Sequence, residues 1–163
     1  MLLEKIVVDW YTLYAKPTTI SEMKNCIIYT SLNNIECLKK KINELFNDRD
    51  MDETMKEFEL NLYNDIVKFI KRNMANFNDI RVQSDKLEFK KENNSYFIIV
   101  RETKDITQNN PKLENIKISR EENEAIFIAL SEGSQFLTID DTIIELINKN
   151  EIPVFCVNIS QEK

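Results

Sequence analysis

Hydrophobic positions in this chain follow two different periods, that of a buried strand and that of one face of a helix. Short apolar runs occur at Ile6–Val8, Cys26–Tyr29 and Phe136–Ile139, which predicts buried strands. Apolar residues spaced three and four apart predict helices. The predicted helices cover Leu32–Phe46, Met55–Phe77, Glu121–Glu132 and Thr142–Asn150, after a helical or irregular stretch at Trp10–Ala15. Two further strands are predicted at Ile116–Ile118 and Pro153–Val157.

Strands and helices alternate most closely in the last 48 residues, which is typical of βαβ units and a parallel sheet. Gly133 is the only glycine and stands where the helix before Phe136–Ile139 must stop, the position of a helix C-cap. The sequence contains no internal repeat and no convincing linker. We therefore predict one α/β domain over residues 1–163, with a hairpin inserted at residues 80–104.

The predicted hairpin spans Leu87–Val100, and its return strand, Tyr96–Val100, is apolar on both faces. A two-stranded ribbon cannot bury both faces by itself. One face is expected to pack on the Met55–Phe77 helix, and the other to meet a second copy, a protein partner or RNA. The alternative is that the Lys104–Glu114 loop covers both faces from within.

Composition excludes several classes of protein. The chain has no His, so Ser-His-Asp catalysis and His-ligated zinc are impossible. With one Gly it cannot form a Walker or GxGxxG loop, so no nucleotide cofactor is expected. Three cysteines without CxxC spacing predict neither a disulfide framework nor a zinc knuckle. The absence of a long apolar run and of a signal-peptide pattern predicts a cytoplasmic protein that does not enter membranes.

Acidic residues mark the carboxyl end of each predicted strand, where parallel sheets bind ligands. The acids are Asp9, Glu36, the Glu121, Glu122 and Glu124 group, and Asp140 with Asp141, and Ser31 stands with Glu36 after the second strand. Each has an ordinary alternative explanation as a helix cap, a helix-dipole partner or a solvated residue. Together they would repel one another without a cation, whereas Mg²⁺ or Mn²⁺ prefers such oxygen ligands. The formal net charge of −6 argues against a broad phosphate-binding surface.

The strongest motif runs from Arg120 through Gly133 into the strand Phe136–Ile139 and Asp140-Asp141. It resembles the "GEAEAIALA…G" helix and the "hhTxD(D)" strand end of PIN domains, which are metal-dependent nucleases. Ile6–Asp9 is similar to the opening "hhhD" strand of that family, and Ile28–Leu38 to its "hhhSxxxxxEhh" motif. The chain departs from the family pattern at Glu121, where Gly is usual, and at Trp10-Tyr11, where small polar residues are usual.

The resemblance implies a small three-layer α/β/α fold and a Mg²⁺- or Mn²⁺-dependent endoribonuclease that acts on single-stranded RNA. It implies that the acidic quartet Asp9, Glu36, Glu122 and Asp140 binds the metal and is catalytic, with Asp141 as a further metal ligand. Thr138 would orient a carboxylate or contact phosphate through its hydroxyl, and Ser31 would also contribute to the site. A toxin–antitoxin ribonuclease is one such enzyme, in which case an antitoxin would be the protein partner.

The alternative function is a catalytically inactive α/β interaction module that binds a protein partner or RNA. The acidic pI and the bulky Trp10 after Asp9 favour this alternative, whereas the intact quartet favours the enzyme. Trp10 and Tyr11 could stack a base, although a core position for Trp10 is the simpler interpretation.

Overall fold

A computed structural model describes residues 3–47, 81–82, 86–91, 94–108, 113 and 116–160 of the chain. The helix predicted over Met55–Phe77 lies outside these residues. The strands are β1 (Glu4–Val8), β2 (Cys26–Ser31), β3 (Arg81–Val82), β4 (Lys86–Lys91), β5 (Ser95–Val100), β6 (Gln135–Thr138) and β7 (Cys156–Asn158). The helices are α1 (Trp10–Ala15), α2 (Pro17–Ser21), α3 (Leu32–Asn47), α4 (Arg120–Glu132) and α5 (Asp141–Lys149).

The seven strands form one sheet in the order β3-β4-β5-β2-β1-β6-β7. The five strands from β5 to β7 are all parallel, and only β3 and β4 run antiparallel at one edge. The strands β1 and β6, which precede Asp9 and Asp140, are neighbours, with Val8 opposite Leu137. The predicted mainly parallel α/β sheet is therefore confirmed.

Two apolar cores lie on opposite faces of the sheet, because successive residues of a strand point to opposite sides. On β1, Ile6 and Val8 belong to the core shared with α1 and α3, whereas Val7 belongs to the core shared with α4 and α5. Phe136 and Leu137 divide between the two cores in the same way. The fold therefore has three layers, with helices on both faces of the sheet. In the described ranges, no helix has the length and apolar character needed to cross a bilayer.

The helix α4 begins and ends where the sequence indicates. The Ser119 hydroxyl caps its first turn by accepting a hydrogen bond from the Glu122 N–H at 3.1 Å. At the other end Gly133 has φ 62°, a left-handed conformation that glycine adopts without steric cost. The predicted C-cap is confirmed.

Two predicted strands are wrong in whole or in part. Ile116–Ile118 is not a strand, and its isoleucines instead pack against the core beside α4. The last strand is not Pro153–Val157 but begins at Cys156. Pro153 has no N–H to donate, and the Val154 N–H bonds to the Ile152 carbonyl within a turn. Pairing with β6 can start only after that turn.

The predicted hairpin exists, but it is not a separate insertion. Its return strand β5 pairs in parallel with β2, so the sheet itself includes it. Phe97, Ile98, Ile99 and Val100 are all buried, and Leu113 from the neighbouring loop joins the core that covers Ile98 and Val100. The expectation that one face of β5 meets a second copy, a partner or RNA is therefore wrong. The alternative is confirmed in that both faces are covered internally, but the loop is not the cover for both: Phe97 and Ile99 belong to the core shared with α1 and α3.

Candidate functional site

Two of the predicted acids stand directly beyond neighbouring parallel strands. Asp9 follows β1 and caps α1, and its Oδ1 accepts a hydrogen bond from the Thr12 N–H at 2.9 Å. Asp140 follows β6 by two residues and caps α5, and its Oδ1 accepts from the Thr142 N–H at 2.9 Å. A cap of this kind fixes one carboxylate oxygen and leaves the other available. The helix-cap explanation and a ligand role are therefore compatible for both residues.

Glu122 reaches the same place from the first turn of α4. Its Oε1 accepts a hydrogen bond from the Ser119 hydroxyl at 2.9 Å. Its Oε2 is buried and accepts no hydrogen bond from a donor group. The Asp140 carboxyl is within hydrogen-bond range of Glu122, and the two acids can bond only while one of them is protonated. A buried carboxylate oxygen without a donor is costly, and in native proteins it usually has a protein, water or ion partner.

The electrostatics of Asp9, Glu122 and Asp140 show that the three carboxyl groups act on one another. Burial raises the pKa of Glu122 to about 7, with further contributions from the carboxyl groups of Asp140 and Asp9. Burial is also the main cause of the raised pKa of Asp9, which is 4% exposed, and the charge of Asp140 adds to it. None of the described lysines or arginines forms an ion pair with these three residues. We call Asp9, Glu122 and Asp140 the acidic cluster.

Cys156 on β7 lies close enough to the acidic cluster to feel its charges. Burial raises the pKa of its thiol to about 12, and the charges of Asp9, Asp140 and Glu122 contribute in the same direction. The predicted strand Pro153–Val157 contains this residue, but a cysteine without metal-ligand spacing gave no reason to place it in the site. At neutral pH it is a neutral thiol beside three acids.

Glu36 does not join the acidic cluster. It is exposed on α3, and no hydrogen bond or ion pair among the described residues connects it to the other three acids. The next residue, Cys37, faces α4 instead, and its Sγ lies 3.2 Å from Glu121 Oε1. One residue turns a helix by about 100°, so the side chain at position 36 points away from the one at position 37.

The remaining predicted site residues have structural partners. Asp141 is exposed, and its Oδ1 accepts from Asn158 Nδ2 at 2.6 Å. Thr138 is fully buried, so its hydroxyl does not face a substrate, and its Oγ1 accepts from the Asp140 N–H. Ser31 is buried and donates to Glu124 Oε1 at 2.7 Å. Thr138 thus orients the backbone of Asp140, and Ser31 links β2 to α4.

Asn34 is a site residue that the sequence did not reveal. It is fully buried, and its Oδ1 accepts from the Trp10 N–H at 2.7 Å. Its Nδ2 donates to Ser31 Oγ at 2.7 Å and to the Glu121 carbonyl at 3.1 Å. Trp10 follows Asp9, and Glu121 precedes Glu122, so one amide sets the position of both segments. An Asn in the first turn of a helix carries no sequence signal for this role.

We expect Asn34→Ala to lower the free energy of unfolding by about 2–4 kcal/mol, because it leaves several buried polar groups without partners. The neighbouring Asn33 is a matched control. Its Nδ2 is buried without a hydrogen-bond partner, so Asn33→Ala should cost under about 1 kcal/mol or even stabilise the helix. Urea unfolding of both variants measures the difference. Equal losses would show that Asn34 does not hold these segments together.

Comparison with known proteins adds no assignment. No protein-family model matches the chain, and a search of curated proteins finds no match. Within the described residues, no three Cys, Asp or Glu side chains form a group that could hold a metal ion as they stand. What the site offers chemically is three mutually interacting carboxyl groups, one of them with a buried oxygen that has no donor, at the carboxyl edge of a parallel sheet.

Proposed function

We propose that this protein is a Mg²⁺- or Mn²⁺-dependent endoribonuclease that hydrolyses phosphodiester bonds of single-stranded RNA. The observation that carries the proposal is the acidic cluster, in which the charge of Asp140 raises the pKa of both Glu122 and Asp9. Asp9 and Asp140 follow the carboxyl ends of adjacent parallel strands, and Glu122 joins them from the first turn of α4. Their order along the chain is that of three of the four acids in the PIN-domain pattern. That resemblance supplies the reaction class.

The residues fit a divalent cation in three respects. Their donor atoms are carboxylate oxygens, the ligands that Mg²⁺ and Mn²⁺ prefer. Glu122 Oε2 is buried without a donor and would gain a partner in a bound ion. No basic side chain in the described ranges pairs with the three acids, so a cation would relieve their repulsion. Metal ions bound there would activate a water molecule and stabilise the leaving oxygen of the phosphodiester.

The chain's own residues hold the ligands in place. The helix caps fix Asp9 through the Thr12 N–H and Asp140 through the Thr142 N–H. Ser119 fixes one oxygen of Glu122 and leaves the other directed to the cluster. Such pre-orientation lowers the cost of bringing three like charges to one ion. Glu36 has no part in this proposal, because it is exposed on α3.

Thermal melting with millimolar Mn²⁺ tests the metal site. With Mn²⁺ at about a hundred times its Kd, the folded state gains about 2.7 kcal/mol, which should raise Tm by about 5–10 °C. The same preparation should cleave single-stranded RNA with Mn²⁺ and not with a chelator. Unchanged melting together with no cleavage would contradict the proposal.

The second candidate is a module that binds a protein partner or RNA without cutting. The exposed position of Glu36 favours it, because one member of the expected quartet is missing from the cluster. It is also favoured because no three ligand side chains among the described residues form a group that could hold a metal ion as they stand. Retention of intact RNA in a binding assay, without a Mn²⁺-dependent Tm shift, would support this function over the nuclease.

A further inference from the structure

We propose that Tyr11, held by Trp10, is a stacking platform for an unpaired base of single-stranded RNA next to the acidic cluster. The inference rests on the proposed function, because it names the part of the substrate that the protein holds. It concerns residues at which the chain departs from the PIN-domain pattern. The ligand chemistry is therefore argued from this chain alone.

The position of Tyr11 is fixed relative to the acidic cluster. It lies two residues after Asp9, whose backbone carbonyl accepts from the Leu13 N–H at 3.1 Å as α1 begins. The Trp10 N–H between them donates to the buried Asn34 Oδ1 at 2.7 Å. The backbone of Tyr11 lies only two helical residues, about 3 Å along the axis, beyond that of Asp9. The two side chains leave the helix in different directions, so the proposal requires the RNA backbone to run from a base on Tyr11 to a phosphate at the cluster.

The ring of Tyr11 is supported at its edge and exposed on its surface. Its centroid lies 5.5 Å from that of Trp10, with an angle of 83° between the rings. Trp10 and Tyr14 pack against the core, and their centroids lie 6.5 Å apart. Tyr11 itself is 50% exposed, which makes it one of three large exposed hydrophobic residues in the described ranges. An aromatic ring fixed in this way offers a base a stacking partner at little entropic cost.

Lysines of α3 lie on the helix that packs against α1, and one of them contacts the aromatic ring one turn beyond Tyr11. Lys41 Nζ lies 5.8 Å from the centroid of the Tyr14 ring, a cation–π contact. Lys39 and Lys40 on the same helix are exposed. Aromatic rings flanked by lysines are the usual means of binding single-stranded nucleic acid without reading its sequence. Since the whole chain has a formal charge of −6, stacking must supply much of the affinity.

The chain contains its own probe for this interaction, because Trp10 is its only tryptophan. In the Asp140→Asn background with Mg²⁺, titration with a single-stranded RNA of about ten nucleotides should quench Trp10 fluorescence. The added change Tyr11→Ala should raise Kd about tenfold, and Tyr11→Phe should leave it within about twofold, because the ring and not the hydroxyl stacks. A duplex RNA of the same length should bind clearly more weakly, since its bases are paired.

Phe155→Ala is the matched control, because Phe155 is 72% exposed but lies at the amino end of β7, away from the cluster. It should leave Kd unchanged. Equal Kd values for Tyr11→Ala and its parent, or equal binding of single-stranded and duplex RNA, would overturn the platform. In the background with Asp140 intact, Tyr11→Ala should raise KM more than it lowers kcat. Tyr11-dependent binding without any cleavage by that protein would uphold the platform and reject the nuclease.

Discussion

Asp140→Asn is expected to lower metal-dependent cleavage of single-stranded RNA by about a hundredfold or more while the protein stays folded. The Asn side chain has the same shape, and its Oδ1 can still accept the Thr142 N–H that now bonds to Asp140. The cap of α5 therefore survives. What the substitution removes is a negative charge that acts on both Glu122 and Asp9. Cleavage rates and urea unfolding of the same preparations separate the two effects.

Glu145→Gln is the control for this prediction. Glu145 is exposed on the same helix, so the change removes an equal charge without touching the acidic cluster. Its cleavage rate should stay within about twofold of the parent's, since exposed charges interact weakly in water. If Asp140→Asn cleaves as fast as Glu145→Gln, Asp140 is only a helix cap. If the Asp140→Asn protein unfolds, the helix cap depends on the charge of Asp140. The loss of the metal ligand must then be tested with Glu122→Gln, by melting with and without Mn²⁺.

The arrangement of the fold was predictable wherever the hydrophobic period was clear. The apolar run Ile6–Val8 and the alternation of helix and strand after Arg120 were sufficient to predict β1, α4, β6 and α5. The strand predicted at Ile116–Ile118 failed because two isoleucines around Lys117 look the same whether the segment pairs in a sheet or packs as a loop. Hydrophobic periodicity indicates which side chains are buried. Which backbone N–H and carbonyl groups pair in a sheet depends on the tertiary structure.

The hairpin shows the same limit on a larger scale. The residues Tyr96–Val100 are apolar on both faces, as the sequence indicates. The prediction treated them as one strand of an isolated hairpin with a face open to a partner. In a parallel sheet covered by helices on both faces, a strand is expected to be apolar throughout. Pairing of β5 with β2 spans about 70 positions of the chain, and no local pattern indicates such a partner.

The sequence was sufficient to place the acids that follow strands. It was not sufficient to place an acid that lies within a helix. Asp9 and Asp140 follow strands, and parallel strands bring their carboxyl ends to one edge. Glu36 depends on the rotation of α3, which spacing alone does not fix. Ser119 could have been found, because Ser119 and Glu122 form the S-x-x-E pattern of a capping box. Asn34 could not, since its three contacts come from three separate segments of the chain.

The stability of the metal-free protein is expected to fall as the pH rises from about 5 to about 8, because Glu122 holds its proton more tightly when folded. Below its ordinary pKa of 4.5, both the folded and the unfolded states are protonated. Between 4.5 and about 7 only the unfolded state releases the proton, which lowers the free energy of unfolding. The ideal loss is about 3 kcal/mol, and screening by solvent at a half-buried carboxyl reduces it to about 1–2 kcal/mol.

Glu122→Gln should flatten this pH dependence, because the amide does not titrate and keeps the acceptor for Ser119. Asp9, whose pKa is also raised, lowers stability in the same direction as the pH rises above 3.8, so part of the slope remains in this variant. The pKa of Asp105 is lowered below its usual 3.8 and that of Cys156 is raised to about 12, so these two groups act outside the window. Mn²⁺ should show the opposite trend, since metal ligands must be deprotonated and its stabilisation should grow as pH rises through 7. Urea unfolding at several pH values, with and without Mn²⁺, measures both trends. A parent protein whose stability is as flat as that of Glu122→Gln would show that Glu122 is not held protonated by its neighbours.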